Sequence, residues 1–426
     1  MPSLEKIVRI STKLANRNVD RFIKFLAANP NFHNFLKKKE VQELQEVDGL
    51  NRILLIPDIN IGDALNFQAF IAVLKQFYPQ IELSYVYKHK AFPLVKDNPH
   101  IDKNFPLFTS SGVPSSRDLN NLRSLIRNHH FELVLNLCPF ISHKELKSVP
   151  SVVISPVRFI ANIIQAYSSK NLNAHISYQL DRFAHDMMKF FPGNPKYSQS
   201  TDPPFPGNYL YTNHQLYQKT QHMMKDLNID PKAKIVFFNP DTSSFYTQIP
   251  FPFQVQLLKG ILSDPNVDLV LLNAGHNFRG IEKRLKDEIS FPLKRKIILI
   301  PKNLPIDMFG PLIDESEIFI SGDTGPLHIA AAKKVILNSE ARFKNSTAVV
   351  DIFGATSPRI YGYDSFSDKY QSAPQNSPSK SFEGVPPCKN LTCTHKLSKS
   401  CTNIRCFEGL KVEEVIHYCR EYLARL

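Results

Sequence analysis

The chain has 426 residues, 42% of them hydrophobic and 21% charged, a balance ordinary for a globular protein with room for two core-bearing domains. No stretch reaches the roughly 18 consecutive apolar residues of a spanning helix, and charged residues interrupt the segment from Ile7 to Phe25, so neither a membrane span nor a signal-peptide core is expected and the sequence reads as cytoplasmic. The formal net charge of +13 is uneven: nine Lys and Arg against Glu5 and Asp20 give residues 1–39 a charge of +7.

In that segment Lys6, Arg9, Lys13, Arg17, Arg21 and Lys24 recur every three or four residues, with Ile7, Ile10, Leu14, Phe22, Phe25 and Leu26 on another side. The spacing predicts a basic amphipathic helix within an extension of residues 1–48. Such a helix either docks on its own protein with a solvated basic face or lies on an anionic surface such as the inner membrane. No nucleic-acid-binding signature accompanies the charge, so nucleic acid is not expected as a partner.

A strand–helix alternation begins after Gly49. Arg52–Ile56 reads as a buried strand, Ala64–Phe77 as a helix, and Ile81–Val86, Glu132–Leu137 and Ser151–Ile154 as further strands, with helical spacing before the last. Pro192, Pro195, Pro203, Pro204 and Pro206 mark a linker, taken as residues 192–225. The alternation restarts with strands at Lys234–Asn239, Val267–Leu272, Lys296–Ile300, Ile318–Ile320 and Ala348–Gly354. Residues 364–386 read as a Ser/Pro surface loop within a 364–426 tail, which ends in a short helix starting near Lys411. The pattern predicts an α/β protein of two doubly wound parallel-sheet domains, residues 49–191 and 226–363. A ligand site is expected in a cleft between them, at the carboxyl ends of strands.

The run Ser321-Gly322-Asp323-Thr324-Gly325-Pro326-Leu327-His328 follows a strand and precedes the small residues Ile329–Ala332. A strand, a tight turn and a helix in that order make an anion site, since free N–H groups and the helix dipole face the ligand. Asp323 then serves sugar hydroxyls or simply forms the turn, and His328 orients a phosphate or is a satisfied helix-start histidine. Pro240-Asp241-Thr242-Ser243-Ser244 offers a second loop of hydroxyl and N–H donors, or an ordinary Ser/Thr turn. Asp63 follows Gly62 at a helix start, where it reads as an N-cap or as a general base.

Five of the six cysteines lie near the C-terminus. Cys388 and Cys393 are five apart, as are Cys401 and Cys406, with His395 between the pairs. In a reducing compartment this reads as a structural zinc or iron site or as structural thiols, ahead of disulfides. Cys138 at an apolar strand end reads as core. The sequence has no Gly-x-Gly-x-x-Gly fingerprint, Walker loop or His-Glu-x-x-His motif.

Asn60-Ile61-Gly62-Asp63, Asn98-Pro99-His100-Ile101-Asp102, the Gly322–His328 turn and Phe353-Gly354-Ala355-Thr356-Ser357-Pro358-Arg359 with Tyr361-Gly362 resemble, in order and spacing, motifs of glycosyltransferase family 9, the heptosyltransferases. The resemblance implies a GT-B fold of two facing Rossmann-like domains. It also implies inverting transfer of a heptose from ADP-heptose to a lipopolysaccharide or other cell-surface glycan, with no catalytic metal. Asp63 would be the base; Asp241, Thr242, Ser243, Ser244, Glu282, Asp323, Thr324, Gly325 and His328 would hold the donor. Cysteine-rich C-terminal segments occur in the family, and some autotransporter heptosyltransferases hold iron with them.

The sequence departs from the family where a Lys and a Trp are expected, having Thr247 and Ile249, and has Pro57 where Arg is frequent. Arg279, Lys283 or Arg359 would have to replace the cation. Two alternatives follow: a non-catalytic scaffold of the same fold that binds a glycan or partner, and an autotransporter-type enzyme that glycosylates protein.

Overall fold

A computed structural model describes residues 42, 50–57, 61–108, 114–138, 141, 146, 152–154, 175–188, 207–242, 247–273, 275, 287–364, 379–385 and 405–426. The basic N-terminal extension, Ser243, Ser244, Glu282, Cys388, Cys393 and Cys401 lie outside the described residues. The chain divides into two compact units that meet in sequence at Asn208 and Tyr209.

The first unit runs β1 (Arg52–Ile56), α1 (Ile61–Phe77), β2 (Glu82–Lys88), α2 (Phe92–Val95), β3 (Lys103–Phe108), α3 (Ser116–His129), β4 (Leu133–Asn136), β5 (Val152–Ile154) and α4 (Ile176–Met188). Its strands form one parallel sheet in the order β3-β2-β1-β4-β5. Strand alternation sets the two faces. Ile53 and Leu55 pack with Phe67, Phe70 and Ile71 of α1 and with Leu180, Phe183 and Met187 of α4. Leu54 and Ile56 point the other way, toward Leu122 and Ile126 of α3. Helix α1 is buried nearly all round because it lies against both the sheet and α4. Helix α3 starts at a capping box in which Ser115 and Asp118 satisfy each other's backbone N–H.

The second unit runs β6 (Tyr209–Asn213), α5 (His214–Asp226), β7 (Ile235–Asn239), α6 (Phe251–Leu262), β8 (Leu269–Leu272), α7 (Phe291–Lys294), β9 (Ile297–Leu299), a 3-10 turn (Ile306–Met308), α8 (Phe309–Asp314), β10 (Ile318–Gly322), α9 (Gly325–Ala331), β11 (Lys333–Leu337), β12 (Ala348–Phe353), α10 (Pro358–Tyr361), β13 (Lys380–Glu383) and α11 (Val412–Ala424). Six strands form a parallel sheet in the order β13-β12-β10-β7-β8-β9, and β6 pairs with β11 separately. One face buries Val236, Phe238, Ile318 and Ile320 with Leu257 and Leu258 of α6 and Val415 and Leu423 of α11. On the other face Phe237 packs edge-on to Phe319 and stacks on Phe309.

The parallel sheets and their helices match the sequence expectation, and the following elements depart from it. Residues 209–225, expected within the linker, are β6 and most of α5; Leu210 and Thr212 alternate inward, and the flanking prolines hide that short pattern. Residues 380–383, expected as loop, are β13. This edge strand has only β12 beside it, so it needs no apolar run. The polar-flanked β3 is likewise an edge. Finally, α1 begins at Ile61, which makes Asp63 the third helical residue and not the cap.

Candidate functional site

In each sheet, consecutive crossovers run in opposite directions from a central strand, and the carboxyl ends of the two strands flanking that reversal are where such folds bind ligands. In the first sheet the reversal lies between β1 and β4, and in the second between β7 and β10. The chain leaving β1 enters α1 at Gly62-Asp63; β7 is followed by Pro240–Thr242 and β10 by Asp323–Gly325. Three of the sequence-predicted segments therefore stand at switch points.

Asp63 is partly exposed in the first turn of α1, where a carboxylate is favoured by the helix dipole. Beneath it lies Tyr85 of β2, fully buried, its hydroxyl without a hydrogen-bond partner among the described residues. Burial, and then the Asp63 charge, raise the Tyr85 phenol above its ordinary range. The 98–102 motif serves a different end of the sheet. Asn98 bonds Gln68 of α1, while Asp102 accepts from Leu83 N and Lys75 Nζ, each at 2.7 Å. It ties α1 to the start of β2, away from Asp63.

In the second unit β7 and β10 place Asn239 beside Ser321. Asn239 Nδ2 donates to Ser321 Oγ at 2.8 Å and to Thr324 Oγ1 at 3.2 Å, while Asn239 Oδ1 accepts from Asn273 Nδ2 at 2.6 Å. Ser321 Oγ and Thr324 Oγ1 are 3.0 Å apart. Thr324 occupies the N-cap position of α9, yet its side chain makes no cap bond, being held by this network instead. Asp323 accepts from Thr356 Oγ1 at 2.6 Å, which joins two of the sequence motifs. Asp241 packs on Gly275, whose φ of +56° and missing Cβ make room for the carboxylate. Thr242 and Thr247 share a hydrogen bond of 2.7 Å and are both buried.

His328 lies inside α9, buried, its Nδ1 2.8 Å from the Tyr363 hydroxyl. Burial pushes its imidazole below the ordinary range, with the Asp323 charge opposing. It therefore supports the turn from behind, rather than facing a ligand as a cation. Tyr363 N donates to the buried Asp351 Oδ2 at 2.7 Å, and burial pushes that carboxyl up to about 7. Helix α9 has seven residues, so its dipole is small. Its far end is met by Lys334, buried, donating to Ala330 O at 3.0 Å and Ala332 O at 3.2 Å.

The second unit thus gathers Asp241, Thr242, Asp323, Thr324, Gly325 and His328 on its own, and Asp63 belongs to the first unit. Sequence reasoning missed Asn239, Asn273, Thr356, Tyr363 and Asp351. A signal existed for the first two, since each is an amide directly after an apolar strand run, Ile235–Phe238 and Leu269–Leu272. Cys406 is buried in the core beside Phe407 and Cys419, and among the described residues no group of His, Cys, Asp and Glu is arranged to hold a metal. No described helix is long and apolar enough to cross a membrane.

No protein-family model matches the sequence. Among curated proteins, the "Putative glycosyltransferase" of Haemophilus influenzae is 19% identical over 285 residues, 66% of this chain and 80% of that one. Among solved structures, a glycosyltransferase of family 9 from Veillonella parvula superposes with a TM-score of 0.63 at 15% identity, over 89% of this chain and all of that one. The E. coli ADP-heptose lipopolysaccharide heptosyltransferase II gives 0.56 at 13% identity, over 88% of this chain and 99% of that one. A second E. coli heptosyltransferase, solved with ADP, gives 0.50 at 14% identity, over 87% and 99%. The chain has the fold of glycosyltransferase family 9.

Proposed function

We propose that this chain is an inverting glycosyltransferase that moves a sugar from a nucleoside diphosphate sugar to a hydroxyl of a cell-surface glycan, with ADP-heptose as the donor and lipopolysaccharide as the acceptor class. The observation that carries the reading is the pair of polar loops at the carboxyl ends of β7 and β10, joined through Asn239, Ser321 and Thr324. They present hydroxyl donors suited to a diphosphate that gains charge as the glycosidic bond breaks. Asp63 takes the proton of the acceptor hydroxyl as that oxygen attacks the anomeric carbon in line. Asp323 holds sugar hydroxyls, with Asp241, Thr242, Ser243, Ser244, Thr324, Gly325 and Glu282 completing the donor set. The basic segment before residue 49 is assigned to the anionic face of a membrane where a lipid-linked acceptor would be met.

Calorimetric titration with ADP, UDP and GDP at one ionic strength tests the donor reading. Selective ADP binding supports it. Selective UDP or GDP binding keeps the enzyme class and discards the heptose donor.

A second reading, a non-catalytic scaffold, draws on Thr247. Its hydroxyl is buried against Thr242 where the resembled enzymes carry a lysine, so this position supplies no cation. Turnover of any nucleotide sugar removes that reading.

A further inference from the structure

The amide chain behind Thr324 has a direction. Gly275 N lies 3.2 Å from Asn273 Oδ1, and a backbone N–H can only donate. That bond fixes the Asn273 carboxamide with its oxygen toward Gly275 and its NH₂ toward Asn239 Oδ1, 2.6 Å away. Asn239 is fixed in turn, with its NH₂ toward Ser321 Oγ and Thr324 Oγ1. Every step passes a donor to the next group, so both hydroxyls receive a proton from behind. Ser321 has an outlet for its own proton at Gly322 O, 3.0 Å away, or at Thr324. With Ser321 giving its proton to Thr324, the Thr324 hydroxyl has both acceptor positions filled and can only donate outward; with Ser321 giving it to Gly322 O, the Thr324 proton can turn inward to Ser321, and an anion at Thr324 selects the outward arrangement. Asn239 and Ser321 are fully buried and Asn273 nearly so, whereas Thr324 is partly exposed.

We propose that Asn273 and Asn239 are positioning residues that polarise the Thr324 hydroxyl as an outward donor, so that the atom bound there is an anionic acceptor such as a diphosphate oxygen of the sugar donor. The proposal rests on the donor-site reading above and extends it: the ligand's charge at this point is set three residues deep, by an amide orientation imposed by one backbone N–H. A ligand group that must itself donate, such as a sugar hydroxyl acting as a donor or an ammonium, is disfavoured because two protons would then face each other.

Asn273→Asp tests it without touching the ligand. Aspartate still accepts from Gly275 N but offers no donor to residue 239. Asn239 then turns its NH₂ toward position 273 and its carbonyl toward the hydroxyls, which draws their protons inward. ADP affinity is expected to fall about tenfold or more, the scale of one lost bond to a charged group, while adenosine affinity stays within about twofold.

A through-space repulsion by the new carboxylate would act whether or not residue 324 carries a hydroxyl, so removing that hydroxyl separates it from loss of the donor chain. Asn239→Asp, which reverses the same step one residue closer, should behave alike. In a Thr324→Val background Asn273→Asp should cost nothing more. An equal cost in that background overturns the proposal. So does an unchanged ADP affinity in Asn273→Asp when the wild type binds ADP. A wild type that binds no nucleoside diphosphate overturns the donor-site reading itself, and the two failures are thereby distinguished.

Discussion

Thr356 Oγ1 donates to Asp323 Oδ2 at 2.6 Å, across thirty-three residues of sequence and from the loop after β12 to the turn after β10. The bond fixes one carboxylate oxygen and thereby the direction of the other, which the sugar-hydroxyl role proposed for Asp323 requires. Thr356→Val keeps the shape and removes the donor. Hydrogen bonds to charged groups contribute about 1.5–3 kcal/mol, so kcat/KM for the nucleotide sugar should fall about tenfold to a hundredfold. Thr356→Ser should stay within about threefold of wild type. Equal kinetics for the valine and serine variants would show that Asp323 is oriented by something else.

Gly275 and Asp241 make a steric pair. A Cβ at position 275 would overlap the Asp241 carboxylate, and the positive φ disfavours any side chain there. Gly275→Ala should therefore destabilise the protein by roughly 1–3 kcal/mol and weaken nucleoside diphosphate binding by displacing Asp241. Asp241→Ala relieves the overlap and leaves the backbone strain. Denaturant unfolding of the two single variants and the double should show the double less destabilised than the sum. Strict additivity would mean that the two residues do not press on one another.

Much of this was legible in the sequence. The apolar runs of β1, β7, β8 and β10 declare buried parallel strands, and the turns after β1 and β10 declare their place at switch points. Less visible were features whose meaning is tertiary. β13 has no apolar pattern because an edge strand is half solvated, and β6 is hidden among prolines. Asn239 and Asn273 could be seen as amides closing apolar runs, but their pairing depends on strand order, which the sequence does not spell out. The Asn98–Asp102 motif carries part of the family resemblance, and geometry makes Asn98 and Asp102 braces between α1 and β2.

Asp351 predicts a pH dependence of stability. Its carboxyl is pushed up to about 7 by burial, with Asp364 and Asp323 adding negative charge and the donors of Tyr363 and Ser381 opposing. In the unfolded chain it titrates near an ordinary value of about 4. Between those values the folded protein holds the proton that the unfolded chain has lost. This group's contribution to stability thus declines as pH rises from about 4 to about 7 and is flat above. Asp351→Asn keeps an acceptor for Tyr363 N and removes the titration. The variant should gain stability over wild type by more at pH about 8 than at pH about 5, measured by urea unfolding. The same difference at both values would show that Asp351 does not titrate in this range.

Asp63 separates chemistry from structure most sharply. In the first turn of α1 the interaction of its charge with the helix dipole is worth about 0.3–1 kcal/mol. In its proposed role as the base that takes the acceptor's proton, it should matter to turnover by about 10²–10⁴ in kcat. Asp63→Ala and Asp63→Asn should both show that loss while ADP titrates normally, because the proposed donor residues belong to the second unit. Asparagine keeps the size of the side chain and some interaction with the helix start, but cannot take the proton, so the two variants should differ in stability and agree in kcat. If instead kcat follows melting temperature across the pair, or if asparagine restores turnover, the carboxylate is a helix-start residue and the base must be sought elsewhere.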